Sequence, residues 1–132
     1  MVRRSRFVIL GSLMLVGVIA AAVAVRVTAV DEVVTLVADE LVFRGDNPTL
    51  YVTAGSKVKL VFRNEADGVI HQVTLTDLDI ETEILQPGES ESICFRAPAV
   101  GDVLTYACTF HSLMTGQVVV RSGDSQATAL RP

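Results

Sequence analysis

From residue 33 onward, apolar and polar residues alternate in short runs. Val58, Leu60 and Phe62, for example, alternate with charged residues at positions 57, 59 and 63. Successive side chains of an extended chain point to opposite faces, so this run predicts a strand with one face on a core and the other in water.

Seven segments have the texture of strands, namely 33–38, 49–54, 57–63, 69–75, 90–96, 102–108 and 116–121. Turn residues separate them, at 45–48, 54–56, 64–68, 86–88 and 98–101. No convincing amphipathic helix interrupts this series. Seven short strands in about ninety residues predict an antiparallel β-sandwich.

An eighth segment has a different pattern, because Asp77, Asp79, Glu81 and Glu83 alternate with less polar residues. A strand here would present four carboxylates on one face. Such a face is either a solvated, charged edge or a docking patch for a basic partner, and the two interpretations are compatible.

The N-terminus is apolar rather than alternating. Residues 7–25 contain no charge, Arg3, Arg4 and Arg6 precede them, and Arg26 follows. As a helix these nineteen residues would span about 28 Å, close to the hydrocarbon thickness of a bilayer. Residues 1–30 are therefore predicted to be an uncleaved membrane anchor or a signal peptide, with the arginines in the cytoplasm and the domain outside it.

The charge is unevenly distributed along the 132 residues. Four of the eleven basic residues precede position 27, so the rest of the chain carries seven basic and fifteen acidic residues, a formal charge of −8. An acidic domain argues against nucleic acid as the partner. We expect the domain to occupy residues 31–121 and residues 122–132 to form a flexible tail.

Two cysteines in an exported chain first suggest a disulfide. A hairpin about residues 98–101 would place Cys94 opposite about Thr105, whereas a crossover to a second sheet would turn Cys94 outward. Neither arrangement favours a bridge to Cys108, because the Cα atoms must lie within about 7 Å. Cys94 is predicted to be a partly exposed free thiol.

The stretch YACTFHSLMTG at 106–116 concentrates side chains that are rare in this protein. Cys108, His111 and Met114 follow one another at intervals of three, and His71 is the only other histidine of the sequence. Two imidazoles, a thiolate and a weak thioether are the donor set of a trigonal blue-copper centre. A zinc site would gain little from methionine, so copper fits this set best.

The same stretch, followed by a hydrophobic strand, resembles the ligand loop of the cupredoxins, the small blue copper proteins. Its Cys-x2-His-x2-Met spacing is similar to the short loop of amicyanin. The segment VTAGSKVKLVFRNEADGVIHQV at 52–73 also resembles the strand that leads into the first histidine of that family. The resemblance covers about residues 33–121.

This resemblance implies an all-β, cupredoxin-like antiparallel Greek-key β-sandwich, preceded by one N-terminal hydrophobic helix. It implies one type 1 copper ion per chain, with His71, Cys108 and His111 as equatorial ligands and Met114 as the axial ligand. His111 is then the electron port near which redox proteins dock, and Phe110 and Leu113 form an apolar docking collar or simply pack within the loop. The implied protein is a monomeric electron carrier outside the cytoplasm, either periplasmic or on the outer face of the cytoplasmic membrane.

Two residues depart from the pattern of the family. Gln72 stands where relatives usually have the asparagine that braces the ligand loop, and Ser112 stands where amicyanin-like loops tend to have proline. These departures concern the support of the loop rather than its ligands.

Other functions fit the sequence less well. A Cys108–His hydrolase would leave Met114 and one histidine without a role. A copper enzyme with further metal sites would need more histidines than the two present. Copper delivery without electron transfer is the main alternative, although a delivery protein would more often have an open, methionine-rich site.

Overall fold

The computed structural model describes residues 29–123, and these form a two-layer β-sandwich. The strands are β1 (Glu32–Asp39), β2 (Val42–Phe43), β3 (Leu50–Thr53), β4 (Lys57–Asn64), β5 (Thr74–Leu75), β6 (Ile80–Glu81), β7 (Ser90–Arg96), β8 (Val103–Cys108) and β9 (His111–Arg121). One sheet has the order β2-β1-β4-β7 and the other β3-β9-β8-β5-β6. The all-β prediction is confirmed.

Both sheets are mixed, so the predicted antiparallel pairing holds for most strand pairs but not for all. β1 pairs in parallel with β4, and β3 pairs in parallel with β9, whereas the other named pairs are antiparallel. A strand with alternating apolar and polar residues has the same sequence pattern whether its neighbour runs parallel or antiparallel. The direction is set instead by the connection, because parallel neighbours need a crossover. Between β1 and β4 the chain crosses to the second sheet to form β3.

The core lies between the two sheets and comes from the alternating residues. Val58, Leu60 and Phe62 of β4 are fully buried, as their period of two predicts. Phe43 of the unpredicted strand β2 packs edge-on against Phe62 and Tyr106, with ring centroids 6.2 and 5.2 Å apart. Tyr106 thus connects the core to the strand that leads to Cys108.

Tyr106 also explains the glycine that ends the stretch at 106–116. Tyr106 and Gly116 are partners across β8 and β9, and a Cβ atom at Gly116 would overlap the tyrosine ring and hydroxyl. The hydroxyl donates a hydrogen bond to the carbonyl of Pro48. A residue without a side chain is therefore required opposite the ring.

Two predicted strands are wrong in detail. Of segment 69–75, only Thr74–Leu75 forms a ladder, because residues 71–73 are all buried and do not alternate. The acidic segment forms a 3-10 turn at Thr76–Leu78 and a left-handed residue at Asp79 before the short β6. Asp77 accepts a hydrogen bond from the Thr105 amide at 2.6 Å. The four carboxylates therefore do not line one face of a strand.

The predicted N-terminal helix, the anchor at residues 7–25 and most of the predicted tail lie outside the described residues. Within residues 29–123 there is no helix with the length and apolar character needed to cross a membrane.

Candidate metal centre

Cys108 and His111 face each other across the hairpin that joins β8 to β9. They are cross-strand partners, and Thr109 and Phe110 form the two-residue turn between them. Cross-strand partners direct their side chains to the same face of a sheet. The Cys-x2-His spacing therefore places a sulfur and an imidazole side by side.

The hairpin then becomes irregular, and this irregularity involves the predicted axial residue. The next cross-strand pair is Ala107 with Thr115, so residues 112–114 form an extra segment on β9. Met114 ends this segment and is fully buried. It joins the two hairpin residues and His71 in one ligand-like cluster.

His71 comes from the body of the sandwich and is also fully buried. Its amide donates to the Leu85 carbonyl at 3.1 Å, and its carbonyl accepts from the Leu85 amide at 2.8 Å. The buried side chain of Asn64 supports the same region, because its Nδ2 donates to the carbonyls of Val69 and Leu85 at 2.8 and 2.9 Å. The backbone at His71 is thus held both by the facing residue Leu85 and, just upstream, through Val69.

The three predicted equatorial donors form a small triangle. Cys108 Sγ lies 3.7 Å from His71 Nδ1 and 3.4 Å from His111 Nδ1, and the three ligand atoms lie within 4.8 Å of one another. Metal bonds of about 2.0 Å to nitrogen and about 2.3 Å to sulfur, as for zinc, separate the two atoms by roughly 3.7 Å in a trigonal plane. The triangle therefore has the size that a first-row metal ion requires.

The protonation state of His71 also suits a metal ligand. Burial lowers the pKa of its imidazole below the usual value, the nearby His111 lowers that pKa further, and the backbone of Glu40 opposes the shift. Nε2 of His71 is buried without a partner in hydrogen-bond geometry. A neutral imidazole keeps a free lone pair on one ring nitrogen, which metal binding requires.

Gln72 does not take over the bracing role of the asparagine in relatives. Its Nε2 donates to the carbonyl of Thr82 at 2.8 Å, so its amide is used within the body of the sandwich. The ligand hairpin is instead contacted by Asn47, whose Nδ2 donates to the carbonyl of Leu113 at 2.9 Å.

Sequence reasoning identified Asn47 only as part of a turn. Its partner Leu113 lies 66 positions away, so no local pattern connects the two residues. The left-handed backbone of Asn47, with φ 53°, is the one feature that its residue type suggests, because asparagine tolerates this conformation.

The outer side of the centre is partly open to solvent. His111 is partly exposed, and its neighbours Phe110 and Leu113 are 43% and 83% exposed. These are the two residues of the predicted docking collar. Both side chains are therefore exposed to solvent rather than packed within the loop.

Cys94 lies in β7 and is exposed, whereas Cys108 is buried in the other sheet, and both are free. The prediction of an outward-facing free thiol at Cys94 is confirmed.

Comparison with known proteins gives a single family. A family model described as a cupredoxin-like domain matches residues 12–120. No curated protein sequence matches the chain significantly.

Solved structures with the same fold include small copper proteins and part of an enzyme. Auracyanin B is 26% identical, with a TM-score of 0.58 over 70% of this chain and 90% of its own. A reduced mutant of amicyanin is 21% identical, with a TM-score of 0.53 over 71% of this chain and 87% of its own. A copper-containing nitrite reductase from Thermus scotoductus is 22% identical, with a TM-score of 0.57 over 74% of this chain but only 30% of its own.

Proposed function

This chain belongs to the family of cupredoxin-like domains, its donor set is that of a type 1 copper protein, and we propose that it carries single electrons between redox partners outside the cytoplasm. The triangle of His71, Cys108 and His111 carries the proposal. We assign these three residues as the equatorial ligands and the buried Met114 as the axial ligand. One bound copper ion would supply a Cu(I)/Cu(II) couple.

The protein's contribution is a site that is already assembled. Because His71 is fully buried and its backbone is bonded to Leu85, its imidazole has little freedom to move. A site whose donors keep their positions needs little reorganisation when its charge changes, which favours electron transfer over delivery of the metal.

We place the electron port at His111. It is the more exposed of the two histidines, and Phe110 and Leu113, the residues of the docking collar, add exposed apolar surface close to it in the sequence. An exposed apolar patch is typical of a surface that meets a protein partner. Partners of this kind are redox proteins that dock transiently on a monomer.

We also propose that the protein is a carrier rather than an enzyme. Both histidines of the sequence are used in one centre, and residues 29–123 contain no second cluster of three metal-binding side chains. The nitrite reductase has a similar fold, but this chain spans less than a third of it.

The decisive experiment adds copper(II) to the purified full-length protein. We expect an intense blue absorption that disappears on reduction, together with reversible voltammetry. Cys108→Ser should abolish the blue colour, whereas Cys94→Ser is the matched control and should keep it, because Cys94 is exposed and lies in the other sheet. A colourless adduct, or a blue one without reversible voltammetry, would count against electron transfer and favour copper delivery.

Location is a separate part of the proposal. The uncharged run at residues 7–25 would anchor the protein to the outer face of the cytoplasmic membrane, with the domain at 31–121 and a tail at 122–132. The native protein should then sediment with membranes at high salt. Recovery in the soluble fraction, with a mature N-terminus after residue 25, would instead identify a cleaved signal peptide.

A further inference from the structure

A left-handed turn outside the ligand hairpin reaches the backbone of that hairpin. Gly45, Asp46 and Asn47 follow β2 and have φ angles of 90°, 60° and 53°. Three consecutive left-handed residues are unusual, and asparagine and aspartate tolerate the conformation better than most residues with a side chain. The turn brings the side chain of Asn47 within hydrogen-bond distance of both Phe43 and Leu113.

The two ends of the Asn47 amide are both in use. Side-chain Oδ1 accepts a hydrogen bond from the backbone N–H of Phe43 at 3.0 Å. The backbone N–H of Asn47 also donates to the Phe43 carbonyl, at 2.9 Å. Nδ2 donates to the Leu113 carbonyl at 2.9 Å. Because Phe43 is fully buried among core aromatic rings, the amide joins the core to the hairpin.

The contact falls on an exposed part of the hairpin, just before the buried Met114. Leu113 lies in the extra segment between His111 and Met114, and its side chain is 83% exposed. Burial of Leu113 therefore does little to fix this segment. The amide of Gln72, the neighbour of His71, is bonded to Thr82 instead.

We propose that Asn47 is a positioning residue, which holds the segment 112–114 and thereby sets where the thioether of Met114 lies relative to the His71–Cys108–His111 triangle. Its effect on copper rests on the proposed function. Contacts around metal ligands tune the metal by orienting those ligands, and a weak axial thioether adjusts the redox potential of a blue-copper centre.

Two substitutions separate the hydrogen bond from other effects. Asn47→Gly removes both side-chain bonds and suits the left-handed backbone. Asn47→Asp keeps the acceptor for the Phe43 amide but replaces the donor to Leu113 with an oxygen. Asp46→Asn is the matched control, since it alters a charge at the adjacent left-handed residue without changing Asn47.

The first measurement needs no metal. In the metal-free full-length protein, NMR backbone order parameters of Ser112, Leu113 and Met114 should be close to the rigid value of about 0.85 in the wild type and the control. They should fall below about 0.6 in both Asn47 variants, while those of residues 57–63 stay unchanged. Equal values in wild type and variants, rigid or mobile, would overturn the proposal.

The second measurement uses the copper-loaded protein. Both Asn47 variants should shift the reduction potential in the same direction and alter the blue absorption, and a chelator should remove their copper about tenfold faster, because both lose the hydrogen bond to Leu113. Opposite shifts in the two variants would indicate a charge effect and overturn the role of the bond. A wild type that never turns blue would refute the proposed function, while the metal-free measurement would still decide whether Asn47 positions the segment.

Discussion

The two histidines of the metal centre are held by different kinds of structure. His71 is fully buried, and its backbone is hydrogen-bonded to that of Leu85. The buried side-chain amide of Asn64 also bonds the carbonyls of Val69 and Leu85. His111 is partly exposed in a hairpin whose extra segment is tethered by an exposed bond from Asn47. His71 is thus part of the core, whereas His111 lies at the surface.

This difference divides two requirements between the two halves. A buried ligand can only be displaced by disturbing the core, so the His71 half provides stability. A ligand at the surface can meet a partner, so the His111 half provides access, at the cost of weaker support. The tether from Asn47 reduces this cost without covering the docking collar of Phe110 and Leu113.

The strongest break of the comparison removes each imidazole in turn. His71→Gly and His111→Gly should both abolish the blue absorption of the copper-loaded protein. Added free imidazole should restore it in His111→Gly, because that position is open to solvent, but not in His71→Gly, whose position is closed. Visible titration with imidazole provides the measurement.

The stability of each protein, measured by denaturant unfolding, serves as the control for that experiment. Restoration in His71→Gly with the same imidazole affinity would show that the buried half is as accessible as the hairpin, contrary to the comparison.

The second prediction removes the support of the buried half. Asn64→Ala should lower the free energy of unfolding by about 3 kcal/mol, because the carbonyls of Val69 and Leu85 and the buried Ala66 amide each lose one hydrogen bond. Asn47→Gly, which removes exposed bonds, should cost about 1 kcal/mol. Urea unfolding of the metal-free protein measures both, and equal costs would contradict the proposed division.

The third prediction concerns the base of the hairpin, where Tyr106 is buried. Burial raises the pKa of Tyr106 to about 12, so the protein resists ionisation of this group. Below pH 10, the usual pKa, Tyr106 is neutral in the folded and the unfolded state, so the full free energy of unfolding is present. Part of it is lost as the pH rises toward 12, because only the unfolded state can then ionise freely. The shift of two units corresponds to at most about 2.7 kcal/mol.

Tyr106→Phe is the matched variant for this alkaline loss. It keeps the ring opposite Gly116 but has no group to ionise, so its unfolding free energy should decline less between pH 10 and pH 12 than that of the wild type. Parallel declines would show that other groups cause the loss.

The sequence predicted that Cys108 comes together with the two histidines, because this grouping depends largely on residue type and short spacing. Cys108 and His111 lie three positions apart, and a two-residue turn is enough to bring them together. The strands of the core were predictable for a similar reason, since Val58, Leu60 and Phe62 carry a period of two. Local patterns determine local geometry.

The support of the site was not predictable, because it depends on distant partners. The bond from Asn47 to Leu113 spans 66 positions, and the parallel pairing of β1 with β4 depends on how the chain crosses between sheets. Segment 69–75 was predicted to be a strand, but consecutive burial of residues 71–73 replaces alternation near His71. The acidic segment was predicted to be a strand. It is a turn at Thr76–Leu78 instead, where Asp77 accepts a hydrogen bond from the Thr105 amide.

The smallest effect that we predict is an acid sensitivity of the metal-free protein. Burial, and then His111, lowers the pKa of His71 in the folded state, whereas the unfolded chain has the ordinary value of about 6.5. As the pH falls below that value, the unfolded state takes up a proton that the folded state does not, so stability declines.

The free energy of unfolding of the wild type should therefore decline between pH 7.5 and pH 5.5, with a slope that His71→Asn lacks. His111→Asn should keep most of it, because burial of His71 is the larger cause. Equal slopes in the two variants would mean that the two histidines experience the same environment, and the distinction between a core ligand and a surface ligand would have to be abandoned.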